Sequence, residues 1–158
     1  MSLVAYGGMT LAAAPESFTA KIEGRQWTAT RSFANTARFG SKPALSISAF
    51  LDAKTTSHFT FNVLVPTAGN SAGSFAFEQG SSLTSTHGMF AAAGGGDANP
   101  LEDNYGFIDG KITIDTYDLA THALSGTFSG TVKNHVGKKM VISEGRFSGV
   151  AISVAATP

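Results

Sequence analysis

Apolar side chains recur at every second position along most of this chain, and this period limits the fold more than any other feature. The run 59–65 is Phe-Thr-Phe-Asn-Val-Leu-Val, and the runs 108–115 and 124–132 repeat the alternation. No window shows the i, i+3, i+4, i+7 apolar spacing of a helix. Because successive side chains of a strand point to opposite faces, the pattern predicts strands with one buried and one wet face. We therefore expect an all-β chain built from antiparallel sheets.

Clusters of turn-forming residues separate these runs at the intervals typical of a sandwich or a barrel. Gly, Pro, Asn, Asp and Ser concentrate at 40–43, 66–73, 94–104 and 134–137, and such residues favour turns. The runs between them predict roughly eight to ten strands in an antiparallel β-sandwich or flattened barrel. Within 81–93 we expect a short helix. Glycines inside the runs predict bulges or close strand approach, and they are Gly110, Gly126, Gly130 and Gly149.

The length of 158 residues suits one domain with its own core. We expect residues 1–17 to form an N-terminal tail or an edge strand, and residues 18–158 to form a single β-sandwich domain. The tail is apolar and ends in Ala-Ala-Ala-Pro, which loosely resembles a signal-peptide cleavage region, although no Lys or Arg precedes it. No stretch of the chain approaches the roughly 18 apolar residues of a membrane span.

The balance of residue types excludes several classes of function. Charged residues make up only 14% of the chain, and the formal net charge is +0. Because no basic stripe is present to neutralise phosphates, we expect no nucleic-acid partner. The chain has no cysteine, which excludes disulfides, thiolate nucleophiles and cysteine-based zinc sites. Ser, Thr, Gly and Asn replace charged residues, as is typical of exported β proteins, so we expect a periplasmic or cell-surface location.

The chain carries few signs of catalytic chemistry. It contains no Walker glycine loop, and we expect no nucleophile elbow of the α/β-hydrolase kind. The histidines are scattered and lack the spacing of metal ligands. Trp27 continues the alternation of its run, so we expect it to anchor the core. We therefore predict no catalytic residues, no metal ligands and a function other than catalysis.

The longest irregular stretch, 91–104, holds the best candidates for binding. Long loops on a β scaffold usually carry function, and this loop concentrates carboxylates and amides beside Tyr105, a candidate exposed aromatic. Calcium prefers several oxygens that converge from a flexible loop, but the spacing here matches no calcium loop and Pro100 interrupts it. We therefore expect no cofactor, with calcium as the alternative. The predicted binding residues are Asp97, Asn99, Glu102, Asp103, Asn104 and Tyr105.

Two segments of the chain match a known pattern. The first is Phe18-x-Ala20-x-Ile22-x-Gly24-x-x-Trp27-x-Ala29, and the second joins 124–132 to 142–147. They resemble the opening and closing strands of exported, lipoprotein-type β-sandwich domains of Gram-negative bacteria. The resemblance implies an envelope-associated β-sandwich of unknown activity, and it supplies no catalytic residues. The lipid-accepting cysteine of those domains has no counterpart in this chain.

Three functions stay open at this point. The leading hypothesis is a non-enzymatic exported domain that binds a protein or glycan partner through loops at one end of the sandwich, with 91–105 as the contact region. The second is a β-barrel carrier of a small apolar ligand. The third is a structural subunit that forms a homo-oligomer through its N-terminal tail. In the carrier hypothesis the cavity is lined by Phe59, Phe61, Phe75, Phe77, Phe107 and Phe128.

Overall fold

Strands make up nearly all of the described chain, which confirms the predicted all-β fold. The computed structural model of this protein describes residues 16–39, 41–52, 57–65, 72–78, 85–92, 99–118, 121 and 123–153. These residues form one short helix, α1 (Pro100–Asp103), and eleven strands against the roughly eight to ten predicted. The strands are β1 (Ser17–Ile22), β2 (Arg25–Thr28), β3 (Arg31–Phe39), β4 (Lys42–Phe50), β5 (His58–Leu64), β6 (Gly73–Ala76), β7 (His87–Ala91), β8 (Asn104–Phe107), β9 (Lys111–Asp118), β10 (Ala123–Lys133) and β11 (Lys139–Ser153).

The strands form two layers that share hydrogen bonds at two corners. The hairpin of β10 and β11 carries β1 and β2 on one flank and β9 and β6 on the other, which gives a six-stranded layer. The five-stranded layer has the order β3-β4-β5-β7-β8. At one corner the end of β11 pairs in parallel with β3, and at the other the end of β10 pairs with β8. The result is a mostly antiparallel sandwich that closes like a flattened barrel.

Aromatic rings from both layers fill the space between them. The Phe128 ring of β10 lies 4.8 Å from the Phe61 ring and 5.3 Å from the Phe59 ring of β5, measured between centroids. Trp27 packs edge-on against Phe59 at 4.9 Å, and its Nε1 donates to Ser57 Oγ at 3.0 Å. Trp27 is therefore the predicted core anchor. Burial of such rings contributes about 2 to 3 kcal/mol each.

Glycines allow strands of the six-stranded layer to approach closely. The pairing of β10 with both β9 and β11 shifts register at Gly126, and a Cβ there would lie 2.1 Å from Thr113 O. At Gly130 a Cβ would lie 2.3 Å from Asp109 O. Real side chains do not tolerate such distances, so these positions need glycine. The prediction of bulges and close approach is confirmed at both residues.

The predicted helix within 81–93 is wrong over its described second half. Residues 87–91 form β7, which pairs with β5 and β8. The alanines at 91–93 suggest a helix, but Gly88 and Phe90 face the core with period two. A Cβ on Gly88 would lie 2.7 Å from the Phe61 ring, so this glycine lets β7 lie against the core. None of the described helical residues belongs to an apolar helix long enough to span a membrane.

The N-terminal tail predicted for 1–17 lies outside the described residues, apart from Glu16 and Ser17. Strand β1 begins at Ser17 and continues into β2 through a two-residue turn. Glu23 and Gly24 both have positive φ, 51° and 80°, as a type I′ hairpin requires. This turn places the short edge strand β2 beside β1 in the six-stranded layer.

Candidate functional site

In the described part of the predicted binding loop, polar side chains form hydrogen bonds to the backbone of the loop itself. Asp97 lies outside the described residues. Asn99 caps α1: its Oδ1 accepts from Leu101 N at 3.1 Å, and its own N–H donates to Asp103 Oδ2 at 2.7 Å. Such side-chain bonds to nearby backbone are what Asn and Asp typically make in turns and caps. The polar atoms of Asn99 and Asp103 therefore hold the loop in shape.

Asn134 ties this loop to the turn between β10 and β11. Its Nδ2 donates to Glu102 O at 2.9 Å, and its Oδ1 accepts from Val136 N at 3.2 Å and Lys138 N at 2.7 Å. His135 N donates to Leu101 O at 3.1 Å. We call residues 99–104 together with 134–138 the helical corner. It is a hydrogen-bonded unit at one end of the sandwich.

Two further predicted binding residues belong to the sheet. Asn104 begins β8 and pairs with Ala91 of β7. Tyr105 is only 4% exposed, and its ring lies 6.3 Å from that of Phe90. It is a core residue and not the exposed aromatic suggested by the sequence. A binding role for the loop as a whole stays a prediction, because only part of it is described.

The remaining expectations about chemistry concern metals and nucleophiles. Among the described residues, no group of three or more His, Asp and Glu side chains is placed to hold a metal ion. Calcium binding stays a question for titration. We expected no nucleophile elbow, but the chain does contain the Gly-x-Ser-x-Gly spacing of one, since 69–73 is Gly-Asn-Ser-Ala-Gly. Ser71 lies outside the described residues, and strand β6 begins at Gly73, whereas an elbow leads into a helix.

A different site lies on the outer face of the six-stranded layer, where polar side chains line up across neighbouring strands. Direct register pairs join Thr19 to Arg146, Arg146 to Thr127, and Thr127 to Thr113. Thr28 and Ser74 extend this line at its two ends. We call this line the hydroxyl row, and its members are Thr28, Thr19, Arg146, Thr127, Thr113 and Ser74.

A second line runs beside the first, two residues further along each strand. Lys21 pairs with Gln26, and Ser129 pairs with Lys111. Between them β11 contributes Glu144, next to Ser143, the register partner of Lys21. We call this line the charged row, and its members are Gln26, Lys21, Glu144, Ser129 and Lys111. A groove of about 410 Å³ lies between the two rows and is lined by both of them.

A bulge in β11 shapes the centre of this groove. The register of β11 shifts against both of its neighbours near Glu144 and Gly145. Glu144 has a φ of 50°, which is uncommon for a residue other than glycine. A Cβ on Gly145 would lie 2.5 Å from Phe128 O, so the strands are in close contact here. Bulges bend a strand and re-aim its side chains, and this one projects Glu144 into the groove.

Positive charge exceeds negative charge in the groove. Lys21 Nζ lies 3.0 Å from Glu144 Oε2, and both side chains are well exposed. Arg146 and Lys111 also line the groove, and neither has a carboxylate partner among the described residues. Three cationic side chains therefore accompany one carboxylate in the described lining. This site was not predicted from the sequence, although its charged residues belong to the polar half of the alternation.

The outer face of the five-stranded layer carries a smaller aromatic cluster. Phe50 stacks on Phe33 at 5.9 Å, and the Arg31 guanidinium lies 4.9 Å from the centre of the Phe50 ring. The ring of His58 lies 5.4 Å from that of Phe50. Its Nδ1 is buried, and no described residue forms a hydrogen bond with it. Burial lowers the pKa of His58 from its usual 6.5, because removal from water disfavours the charged imidazolium.

The fold and the groove together define an all-β sandwich, closed at two corners, with a polar groove on one face. Comparison with known proteins finds no family model, no curated protein and no solved structure that matches this chain.

Proposed function

We propose that this chain is a non-enzymatic exported domain that binds a glycan partner in the groove of its six-stranded layer. One observation carries the proposal: the hydroxyl row crosses six neighbouring strands and the adjacent charged row crosses five, on a solvent-facing surface. A glycan presents hydroxyl groups that both donate and accept hydrogen bonds. Ser and Thr hydroxyls and a Gln amide offer the same two capacities, so the lining complements a sugar chain.

The rigidity of the lining supports binding. Each groove residue stands on a strand that is hydrogen-bonded to neighbours, and sites built on strands hold their geometry better than sites on loops. A volume of about 410 Å³ falls within the range of small-ligand sites. The cost of ordering these side chains on binding is reduced because their backbone is already fixed.

The carboxylate content of the groove favours binding over hydrolysis. Glycosidases use two carboxyl groups that flank the scissile bond. Glu144 is the one carboxylate in the described lining, and it already contacts Lys21. We therefore assign Glu144 to ligand contact and groove shape, and to no chemical step.

The exported location is part of the same proposal. Its supports are the low share of charged residues, 14%, and the resemblance of both chain ends to envelope-associated domains. Fractionation of cells that express the full-length protein tests it. We expect the protein in the envelope or periplasmic fraction, and recovery in the cytoplasm would contradict this part of the proposal.

Chemical-shift mapping tests the binding site. Uniformly ¹⁵N-labelled protein is titrated with a panel of neutral and charged oligosaccharides. We expect shifted amides to cluster on β1, β10 and β11 around the groove. The double variant Thr127→Val and Ser129→Ala removes two groove hydroxyls and should lower affinity about tenfold. Ser48→Ala, a hydroxyl on the outer face of the other layer, is the matched control and should leave affinity unchanged. Shifts confined to 99–105 would instead place the binding site in the loop predicted from the sequence.

A protein partner at the helical corner is the second candidate. Leu101 and Val136 are large apolar side chains that are 57% and 63% exposed, and the Leu101 O···His135 N bond brings their segments together. Exposed apolar pairs at a rigid loop end are typical of protein contacts. If this candidate holds, a partner captured from native extract by the wild-type chain should be lost on the double variant Leu101→Ser and Val136→Ser.

The carrier and the tail-assembly hypotheses receive less support. Of the phenylalanines suggested as a cavity lining, Phe61, Phe77, Phe107 and Phe128 pack on one another at 4.4 to 5.7 Å. Rings in such contact fill the interior between the layers. Native mass spectrometry tests the carrier idea, since a carrier retains its ligand through purification. Assembly through 1–17 concerns residues outside the described chain, and light scattering with and without them tests it.

A further inference from the structure

The groove contains more cationic side chains than the binding of a neutral glycan requires. We infer that its ligand is an acidic glycan, a sugar chain that carries carboxylates along its backbone. This inference rests on the proposed function and names its substrate class. A neutral sugar would need hydroxyl and amide partners alone, whereas this groove adds three cationic side chains to them.

The groove carries an excess of positive charge that the chain as a whole lacks. The whole chain carries a formal net charge of +0, from 11 basic and 11 acidic residues. The described lining holds Lys21, Lys111 and Arg146 against one carboxylate, Glu144. Concave surfaces lined by one sign of charge concentrate the field and attract ligands of the opposite sign. Arg146 and Lys111, which lack a carboxylate partner among the described residues, are available to such a ligand.

The positions of the three cations suit an extended chain. Lys21 stands on β1 and Lys111 on β9, three strand steps apart, which amounts to about 14 Å at the usual strand spacing. Arg146 stands on β11 between them, in the hydroxyl row. A ligand with anions at intervals can therefore meet successive cations while its hydroxyls bond to Thr127 and Ser129.

Arg146 is the residue that selects for carboxylates. Its guanidinium offers a planar fork of N–H donors that matches the two oxygens of a carboxylate. Register neighbours Thr19 and Thr127 flank it on both sides. Lys21 and Lys111 contribute point charges without this geometric preference. Substitution of Arg146 should therefore cost more affinity than substitution of either lysine.

Other polyanions fit the lining less well. Single-stranded nucleic acid is bound through aromatic rings on which bases stack, and the described lining contains one ring, Phe128, which is buried. A membrane surface would call for apolar side chains around the cations, whereas this groove is bordered by hydroxyls. Both ligands are outcomes of the test below.

The test compares a short oligogalacturonate with its fully methyl-esterified form by calorimetry. The two probes share the sugar backbone and differ in charge. We expect the charged form to bind at least about tenfold more tightly. Arg146→Gln should reduce affinity for the charged form about tenfold, and Lys111→Gln about threefold. Neither variant should change affinity for the ester by more than about twofold.

Glu144→Gln supplies a test in the opposite direction. Removal of the carboxylate frees Lys21 and lowers repulsion, so affinity for the charged probe should rise about two- to fivefold. Lys42→Gln, an exposed lysine of the other layer, is the matched control and should change nothing. Melting curves confirm that each variant folds.

Different results would contradict glycan binding in the groove and the acidic nature of the glycan. Equal affinity for both probes, or binding of neutral glycans only, would overturn the acidic ligand and leave glycan binding in place. Absence of groove shifts with every oligosaccharide would overturn both. Tighter binding of dextran sulfate, of single-stranded DNA or of vesicles with anionic lipids would replace the carboxylate glycan with that ligand.

Discussion

The groove and the helical corner are both polar, yet they use their polar atoms differently. In the corner, Asn99, Asp103 and Asn134 bond to backbone groups of the same unit at 2.7 to 3.2 Å. In the groove, Arg146 and Lys111 stand on strands and have no carboxylate partner among the described residues. The corner's side chains stabilise the fold, whereas Arg146 and Lys111 in the groove make no ion pair within the described part of the chain.

The difference follows from local geometry. A short polar side chain in a turn lies close to the N–H groups two to four residues away and bonds to them. A side chain on a strand projects away from the sheet, and the backbone groups near it are already paired in the ladder. A carboxylate-rich loop is therefore a weaker indication of a binding site than a polar face of a sheet.

The largest expected effect concerns the close strand contacts beneath the groove. Gly126→Ala should lower the free energy of unfolding by about 3 kcal/mol, because the added methyl would lie 2.1 Å from Thr113 O. Gly106→Ala in β8, beside the helical corner, is the control, because no atom lies within 4 Å of its added Cβ. It should change stability by less than about 0.5 kcal/mol. Urea unfolding measures the stability of both variants. Equal losses of stability would show that the strands beside Gly126 move apart to accept the methyl group at little cost.

The next effect tests the structural role of the helical corner. Asn134→Ala removes a buried side chain that makes three hydrogen bonds, so stability should fall by about 2 kcal/mol. His135→Ala, an exposed side chain in the same turn, should cost little. Glycan affinity at the groove should be unchanged in both variants. If Asn134→Ala abolishes glycan binding without loss of stability, the helical corner is part of the binding site, and the contrast between a structural corner and a binding groove is wrong.

A smaller effect isolates the backbone conformation of Glu144. Glu144→Gly relieves a positive φ of 50° and loses an exposed ion pair, and we expect a net gain of about 0.5 kcal/mol in the free energy of unfolding. Lys21→Met removes the same ion pair and leaves the backbone unchanged, so it should give a small loss. A larger loss for Glu144→Gly than for Lys21→Met would mean that this conformation costs the fold nothing.

The smallest effect lies on the outer face of the other layer. Because burial lowers the pKa of His58 from 6.5 in the folded chain, the unfolded chain binds more protons just below that pH. Stability should therefore fall as the pH drops from about 7 to about 5. His58→Phe should weaken this dependence, as measured by melting temperature across that range. An identical pH profile for the variant would assign the dependence to other groups.

Much of the fold was predictable because period two is a local property. The alternation of 59–65 and of 111–115 identifies strands, and their apolar halves lie in the core. The predicted run 108–115 is interrupted, because 108–110 connects β8 to β9 and Ile108 is only partly buried. The glycine positions in β10 predicted the tight strand contacts. The strand 87–91 was missed because the alanines at 91–93 favour a helix. Pairing with β5 and the close contact of Gly88 with Phe61 make it a strand instead.

The candidate site was far less predictable. The groove residues come from β1, β2, β9, β10 and β11. No run of consecutive residues in the lining is longer than three. Thr19 and Thr127 become partners of Arg146 only through strand order and register. No sequence rule supplies that register, since a shift of one residue would turn every side chain to the opposite face.

The sequence by itself determined that this chain is extended, antiparallel and packed around phenylalanines, because alternation and turn residues act over short distances along the chain. Tertiary structure alone decided which polar side chains stand together. Hydrogen bonding between distant strands brings Arg146, Lys21 and Lys111 to one surface, and a bulge at Glu144 shapes it. These are long-range consequences of strand order, which no local pattern encodes.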